Sequence, residues 1–444
     1  MLRLLAAILT LSLLLPAQAL AKEIYVSKTT GANDNPGTKE KPLKLMWKVF
    51  EGLEDGDVVR VAEGLYNGQK KSGVMPKITK SVVLEGGWNA DFSARDPFKH
   101  LTIITAAFDS PGSTGEVFQC EDRKLSVTID GFLIDRGGGA IYYNDGEMGA
   151  NKRIEGHKDC TPWGYRNLNR KMSGSDPSIE LIGETMTVRN NIIINSPWWG
   201  IYVKGGGKGT ITIENNLVLG FQGRGIEAIT GGGWGAPTWV IRNNTVAFGW
   251  EMEGRGISLD PKADNGKVLV EKNVVAFTNQ TGVMTKFAAK GDALQLVNNL
   301  FYFNKLGDYG SGGSGCCNAA DFDDEATFKQ SKNVHALPKF VSKVAPAWLG
   351  RYTMTKALTT KLHATDADLD AARAAVGLTT WQAVGFEPSA SYGALPQGRA
   401  TYDLGRYPAP FKEGEGLDAE GWAKHVLPMI GQDGERGIQA AFAK

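Results

Sequence analysis

Five stretches share one pattern: Val188-Arg-Asn-Asn191-Ile-Ile-Ile194, Ile213-Glu-Asn-Asn216-Leu-Val-Leu219, Ile241-Arg-Asn-Asn244-Thr-Val-Ala247, Val270-Glu-Lys-Asn273-Val-Val-Ala276 and Leu296-Val-Asn-Asn299-Leu-Phe-Tyr302. Their last Asn falls at 191, 216, 244, 273 and 299, in steps of 25, 28, 29 and 26 residues. A weaker copy, Thr128-Ile-Asp-Gly131-Phe-Leu-Ile134, precedes them. Near-constant periods of this length mark stacked repeats. Each step suits one coil of a β-solenoid, with two or three short strands joined by turns. Asn tolerates the left-handed backbone of a tight turn, and stacked side-chain amides can bond from coil to coil. Unrelated antiparallel hairpins also use Asn-rich turns, but five in-phase copies argue against them.

Outward from this core, earlier coils are expected at Val58–Tyr66, Val82–Gly87, Leu101–Ala107 and Leu125–Asp135. A polar insertion, 144–178, interrupts the repeat, and long insertions in compact domains are often functional. After Asn299 the pattern fades. Gly310–Gly315 reads as a flexible run, Asn318–Lys329 as a short helix, and 333–341 as a closing segment. Residues 346–444 lack the repeat and are expected to form a mixed capping tail, because open solenoid ends expose strand edges.

Length and composition agree. The chain has 444 residues, 56 of them Gly, and Gly collects where a chain turns often. The formal charge is +1, from 49 basic and 48 acidic residues, and a chain starting at Lys22 is formally neutral. That balance creates no global field for nucleic acid or a membrane surface. Residues 1–21 read as a secretory signal peptide: Arg3, the apolar run Leu4–Leu15, then small-x-small cleavage sites. The expected product is secreted or periplasmic, without membrane insertion. Export permits disulfides. Four Cys allow three pairings, of which Cys120–Cys160 is favoured, leaving Cys316 and Cys317 as a neighbouring pair. The sequence does not determine oligomeric state.

The N-terminal segment carries a resemblance. Tyr25-Val-Ser27, Pro36-Gly-Thr38, Pro42, Gly56-Asp-Val58 and Val61-Ala-Glu-Gly64-x-Tyr66 resemble the start of secreted pectate-lyase-like right-handed parallel β-helix proteins. The resemblance spans roughly 23–345 and implies an all-β solenoid over 22–345. It also implies an amphipathic helix capping the first coil, for which 43–53 would serve. It says little about activity, because that superfamily holds lyases, hydrolases, epimerases and adhesive proteins.

Four repeats carry a Gly before an apolar-x-apolar strand: Trp199-Gly200-Ile-Tyr-Val-Lys204, Arg224-Gly225-Ile-Glu-Ala-Ile229, Arg255-Gly256-Ile-Ser-Leu-Asp260 and Thr281-Gly282-Val-Met-Thr-Lys286. Strand alternation turns Ile201, Ile226, Ile257 and Val283 inward, then Val203, Ala228, Leu259 and Thr285. It turns Tyr202, Lys204, Arg224, Glu227, Arg255, Ser258, Asp260 and Lys286 outward. With coils about 4.8 Å apart, Arg224 stacked on Arg255 costs about 3–4 kcal/mol at an effective dielectric near 20. Glu227, Asp260 or an anionic ligand would offset that repulsion.

Such a surface suits β-elimination on a uronate polysaccharide, the expected partner. The uronate carboxylate must be neutralised so that the neighbouring carbon can lose a proton. Like charge beside a Lys frees it to act as a base, which nominates Lys204 or Lys286. Arg224 and Arg255 would bind carboxylates, and Tyr202 would protonate the leaving oxygen. Glu227 and Asp260, with Asp264, would hold calcium through oxygen ligands. Trp199, with Trp163, Tyr165 and Arg166 of the insertion, would contact sugar. Two other readings use the same residues. A hydrolase needs two placed carboxylates, such as Glu227 and Asp260, and a uronate epimerase shares the proton-abstraction step. A non-catalytic matrix-binding solenoid is the opposing class, its outward charges being only a solvated ion-paired face.

Overall fold

The computed structural model describes residues 21–69, 73–105, 115–135, 140–143, 164–167, 177–196, 198–221, 223–249, 254–260, 266–276, 278, 280–286, 291–302, 304, 307–312, 314–317, 328–336 and 436–438. Within them the chain winds as a solenoid of three parallel sheets. Sheet A begins with Glu23–Val26 and Val58–Ala62 and ends with Phe328–Ser331. Sheet B runs from Gly64–Tyr66 to Val334–His335, and sheet C from Phe118–Cys120 to Ser314–Cys317. Successive coils pair residue for residue; Val188, Ile213, Ile241, Val270 and Leu296 align in one column of sheet A. The expected early coils are present as strands Val58–Ala62, Gly64–Tyr66, Val82–Trp88, Thr102–Thr105, Ser126–Asp130 and Phe132–Asp135.

The turn between sheets A and B explains the repeated Asn pair. Its first residue takes the left-handed conformation: φ is 55° at Asn190 and Asn215, 53° at Asn243 and Lys272, and 55° at Asn298. Its second residue is wholly buried and builds a ladder. Asn191, Asn216, Asn244, Asn273 and Asn299 each donate Nδ2 to the next Asn Oδ1 at 2.9–3.0 Å. The backbone N–H of each donates to the same oxygen. The other Nδ2 hydrogen goes to a main-chain carbonyl of the preceding coil, as from Asn244 to Ile213. Both donors and the acceptor of every amide are thereby used, which burial demands. The ladder extends one coil beyond the sequence pattern, to Asn333, where Lys332 takes the left-handed position at φ 56°. At the other end Asp130-Gly131 replaces the Asn pair. The wholly buried Asp130 carboxylate pairs with Arg95 and Arg189 and accepts from Asn190.

The Gly markers open sheet C because nothing larger fits there. A Cβ on Gly225 would stand 2.2 Å from Val246 Cγ1 and 2.8 Å from the Gly256 carbonyl oxygen. Inward residues of all three sheets form one apolar core along the axis.

Several expectations need correction. The helix expected over 43–53 is one turn, Met46–Val49, although Met46, Val49, Phe50 and Leu53 are all buried in the core. The helix expected over 318–329 gives way at its end to strand Phe328–Ser331, which pairs in sheet A; residues 318–327 lie outside the described residues. Cys120 is a free buried thiol, not half of a disulfide. It faces inward, and its Sγ donates to the Ile182 carbonyl at 3.7 Å; Cys160 lies outside the described residues. Ser314–Cys317 is a strand antiparallel to Tyr309–Ser311. Of the insertion, Gly164–Asn167 pairs antiparallel with Ala140–Tyr143 as a two-stranded sheet separate from the three of the solenoid.

Candidate functional site

Sheet C places the four Gly-led strands in register. Ile201, Ile226, Ile257 and Val283 form one buried inward column, and Val203, Ala228, Leu259 and Thr285 the next, as alternation requires. The outward column between them reads Glu180, Tyr202, Glu227, Ser258 and Met284. A second outward column reads Ile182, Lys204, Ile229 and Asp260. Arg224 lies beside Arg255 in the same ladder, so the expected like-charge stack is present.

These columns enclose a cleft of about 310 Å³, lined by Arg224, Glu227, Arg255, Ser258, Asp260 and Lys286 together with Ile229, Met284 and Gly312. Its charges are arranged in pairs. Arg224 Nη1 donates to Glu227 Oε2 at 3.0 Å, with both side chains largely buried. Lys286 Nζ meets Asp260 Oδ2 at 3.4 Å from an exposed position. Arg255 Nε donates to Gln280 Oε1 at 3.1 Å. The partner that Lys286 finds is thus an acid, where the sequence suggested neighbouring cations. Among the described residues, the second Asp260 oxygen, Oδ1, is buried without a hydrogen-bond partner.

Lys204 does not line this cleft, because Ile229 intervenes between it and Asp260 along the column. Tyr202 and Trp199 sit on the adjoining coil. Their rings stack at 5.1 Å, and the Arg224 guanidinium lies 5.4 Å from the Trp199 ring centre. That cation–π contact and the Glu227 ion pair together fix Arg224. Burial, reinforced by the charges of Glu227 and Glu180, pushes the Tyr202 phenol up to about 12. Tyr202 therefore stays protonated at neutral pH. Trp163 and Asp264 lie outside the described residues, as do the side chains of Tyr165 and Arg166.

Glu180 is a residue the sequence reading did not single out. It occupies the register position of Tyr202 one coil earlier and accepts from Gln119 Nε2 at 2.9 Å. Burial raises its carboxyl above the usual range, and the neighbouring Glu121 charge adds to the effect. The available signal was Ile179-Glu180-Leu181, which repeats the apolar-x-apolar strand but has Ser178 where the other copies have Gly.

The donor set tests the calcium expectation. Register sets Glu227 opposite Ser258, not Asp260, and each acid already has one oxygen on a cation. Calcium takes six to eight oxygens, and no group of three or more metal-ligating side chains occurs among the described residues. Glu227 and Asp260 alone do not make a calcium site.

The class these sheets define is the right-handed parallel β-helix. Residues 178–332 match the family described as "Right handed beta helix region", about a third of the chain. No curated protein matches the sequence. Among solved structures, a complex of XylC with xylose is 12% identical, with a TM-score of 0.39, over 65% of this chain and 63% of that one. A GH136 lacto-N-biosidase from Eubacterium ramulus is 14% identical, with a TM-score of 0.33, over 71% and 56%. The pectin methylesterase PemA from Erwinia chrysanthemi is 12% identical, with a TM-score of 0.36, over 70% and 89%. The chain spans less than two thirds of the first two, and overlaps of this size carry no argument about substrate. No helix among the described residues is long and apolar enough to cross a membrane.

Proposed function

We propose that the protein is an exported carbohydrate-active enzyme that cleaves a uronate-containing polysaccharide by β-elimination. The observation that carries this reading is the cleft of sheet C, where Arg224, Arg255 and Lys286 gather on three successive coils. In the proposed reaction Arg224 and Arg255 bind substrate carboxylates, which acidifies the proton on the neighbouring carbon. Lys286, which lines the cleft, is the base favoured over Lys204, and it acts as the neutral amine released from its ion pair with Asp260. As the C–H bond breaks, its electron pair forms the new C=C bond and the C–O bond to the leaving sugar breaks. Lys286 then returns the proton to the leaving oxygen; Tyr202, expected as that acid, stands three coils from Lys286 along the Tyr202–Glu227–Ser258–Met284 column and does not line the cleft. Asp260 Oδ1, a buried acceptor at the wall of the cleft, supports a ligand that brings a hydroxyl donor.

The non-catalytic binding reading has its own support. Arg224 and Lys286 already carry carboxylate partners, as in a solvated ion-paired face. Ultraviolet absorbance of the unsaturated uronate product separates the two. Protein is incubated with pectate, alginate and glycosaminoglycans, with and without calcium, which also tests whether Asp264 joins Glu227 and Asp260 as a donor. Absorbance should rise on one substrate and fall at least about 100-fold in Lys286→Ala, the scale of a lost general base. No rise on any substrate, with polysaccharide still retained, would leave the binding protein as the reading.

A further inference from the structure

The outward face of sheet C changes character one coil before Arg224. There Trp199 and Tyr202, both half-buried, stack at 5.1 Å with 24° between their ring planes. The Arg224 guanidinium lies 5.4 Å from the Trp199 ring centre, so the aromatic pair adjoins the cations of the cleft directly. Aromatic rings give apolar area beside a polar handle, which suits the C–H face of a sugar ring.

Charge reverses across this pair. On the cleft side Arg224, Arg255 and Lys286 supply the cations. On the other side the Tyr202 column continues to Glu180 and Gln119. The Gln119 amide donates to Glu180 Oε2 at 2.9 Å and to Glu121 Oε1 at 3.2 Å, which holds both carboxylates in place. Lys77 pairs with Glu121, and the charges of Glu121, Glu116 and Glu180 all act to raise it. Three acids thus gather about one lysine. Glu180 registers the result, because burial pushes its carboxyl up and the Glu121 charge adds to the effect. Surroundings that resist the charge of a resident carboxylate resist an incoming one as well.

We propose that the sugar beside the bound uronate, seated on Trp199 and Tyr202, is an uncharged one, and that Glu180 sets this preference by repelling a second carboxylate. The inference rests on the reading that Arg224 and Arg255 hold a uronate. It narrows the substrate to a polysaccharide in which uronates adjoin uncharged sugars. Specificity of this kind comes from a repulsive element as much as from an attractive one. The Arg224 and Arg255 coils draw in one carboxylate, and the Glu180 coil turns the next away. A homopolyuronate carries a carboxylate on every sugar and meets both.

The probes are digalacturonate and dimannuronate, each compared with its two forms in which one carboxylate has been converted to the primary alcohol. Titration calorimetry on the full chain gives the dissociation constants. One converted form should bind at least about tenfold more tightly than its parent, because like charges brought together at an interface are strongly disfavoured. Glu180→Gln keeps the size of the side chain and an oxygen for Gln119, and should bring that ratio below about threefold. A parent that binds as tightly as both converted forms would overturn the inference and leave the uronate site standing. A ratio unchanged in Glu180→Gln would do the same. Binding of none of the probes would remove the uronate site, and the inference with it.

Discussion

Glu180 is a carboxyl group held in surroundings that disfavour its charge. The sign of its pH dependence follows from linkage. Its folded-state pKa is raised, chiefly by burial, so above the usual Glu range the folded chain holds a proton that the unfolded chain has released. Stability is therefore lost as pH rises from the unfolded pKa through the folded one. Glu180→Gln cannot ionise and should lose less stability across that interval. Melting temperatures of the two proteins, measured at several pH values, would converge below the window and separate above it. Equal slopes would mean that Glu180 titrates normally.

The turn between sheets A and B is the element with the least tolerance. Asn244 accepts the backbone N–H and Nδ2 of Asn216, and donates to Asn273 and to the Ile213 carbonyl. Asn244→Leu keeps the branched shape of the side chain but leaves at least two buried donors of Asn216 without acceptors. At about 1–3 kcal/mol for each unsatisfied group, the loss should be about 2–6 kcal/mol, read from the denaturant midpoint. Asn243→Gly keeps the φ of 53° at no steric cost but removes the Nδ2 bond to the Gly437 carbonyl, so it should cost about 1–2 kcal/mol, less than Asn244→Leu. The Asn pairs were legible because a repeated turn imposes the same two demands on every coil. The coil ending at Asn333 was hidden because Gln330 stands where the other copies have an apolar residue and His335 breaks the apolar run that follows the Asn. Lys332 takes the left-handed position without being a residue that advertises it.

At the scale of the molecule, the formal charge is nearly zero, so any attraction for an anionic polymer must come from the sheet C cleft. Binding should then weaken steeply with salt, because the Debye length falls from about 10 Å at 0.1 M to about 3 Å at 1 M. Arg255→Ala should weaken binding and flatten that salt dependence. Retention on an immobilised polyuronate across a salt gradient measures both, and an unchanged elution position would place the polymer elsewhere.

The sequence by itself determined the solenoid, its period, the inward columns of sheet C and the stacking of Arg224 on Arg255. Those follow from alternation along a strand and from repetition between coils, and both are local rules. Only the tertiary structure decided which outward residues share a cleft. Register set Ile229 between Lys204 and Asp260, gave Lys286 an acid as its partner and brought Glu180 into the Tyr202 column. It likewise turned Cys120 into the core as a free thiol. The contact of Ile438 with Thr245 of sheet B was beyond any local rule, because it spans 193 residues, and no periodicity records a contact made once.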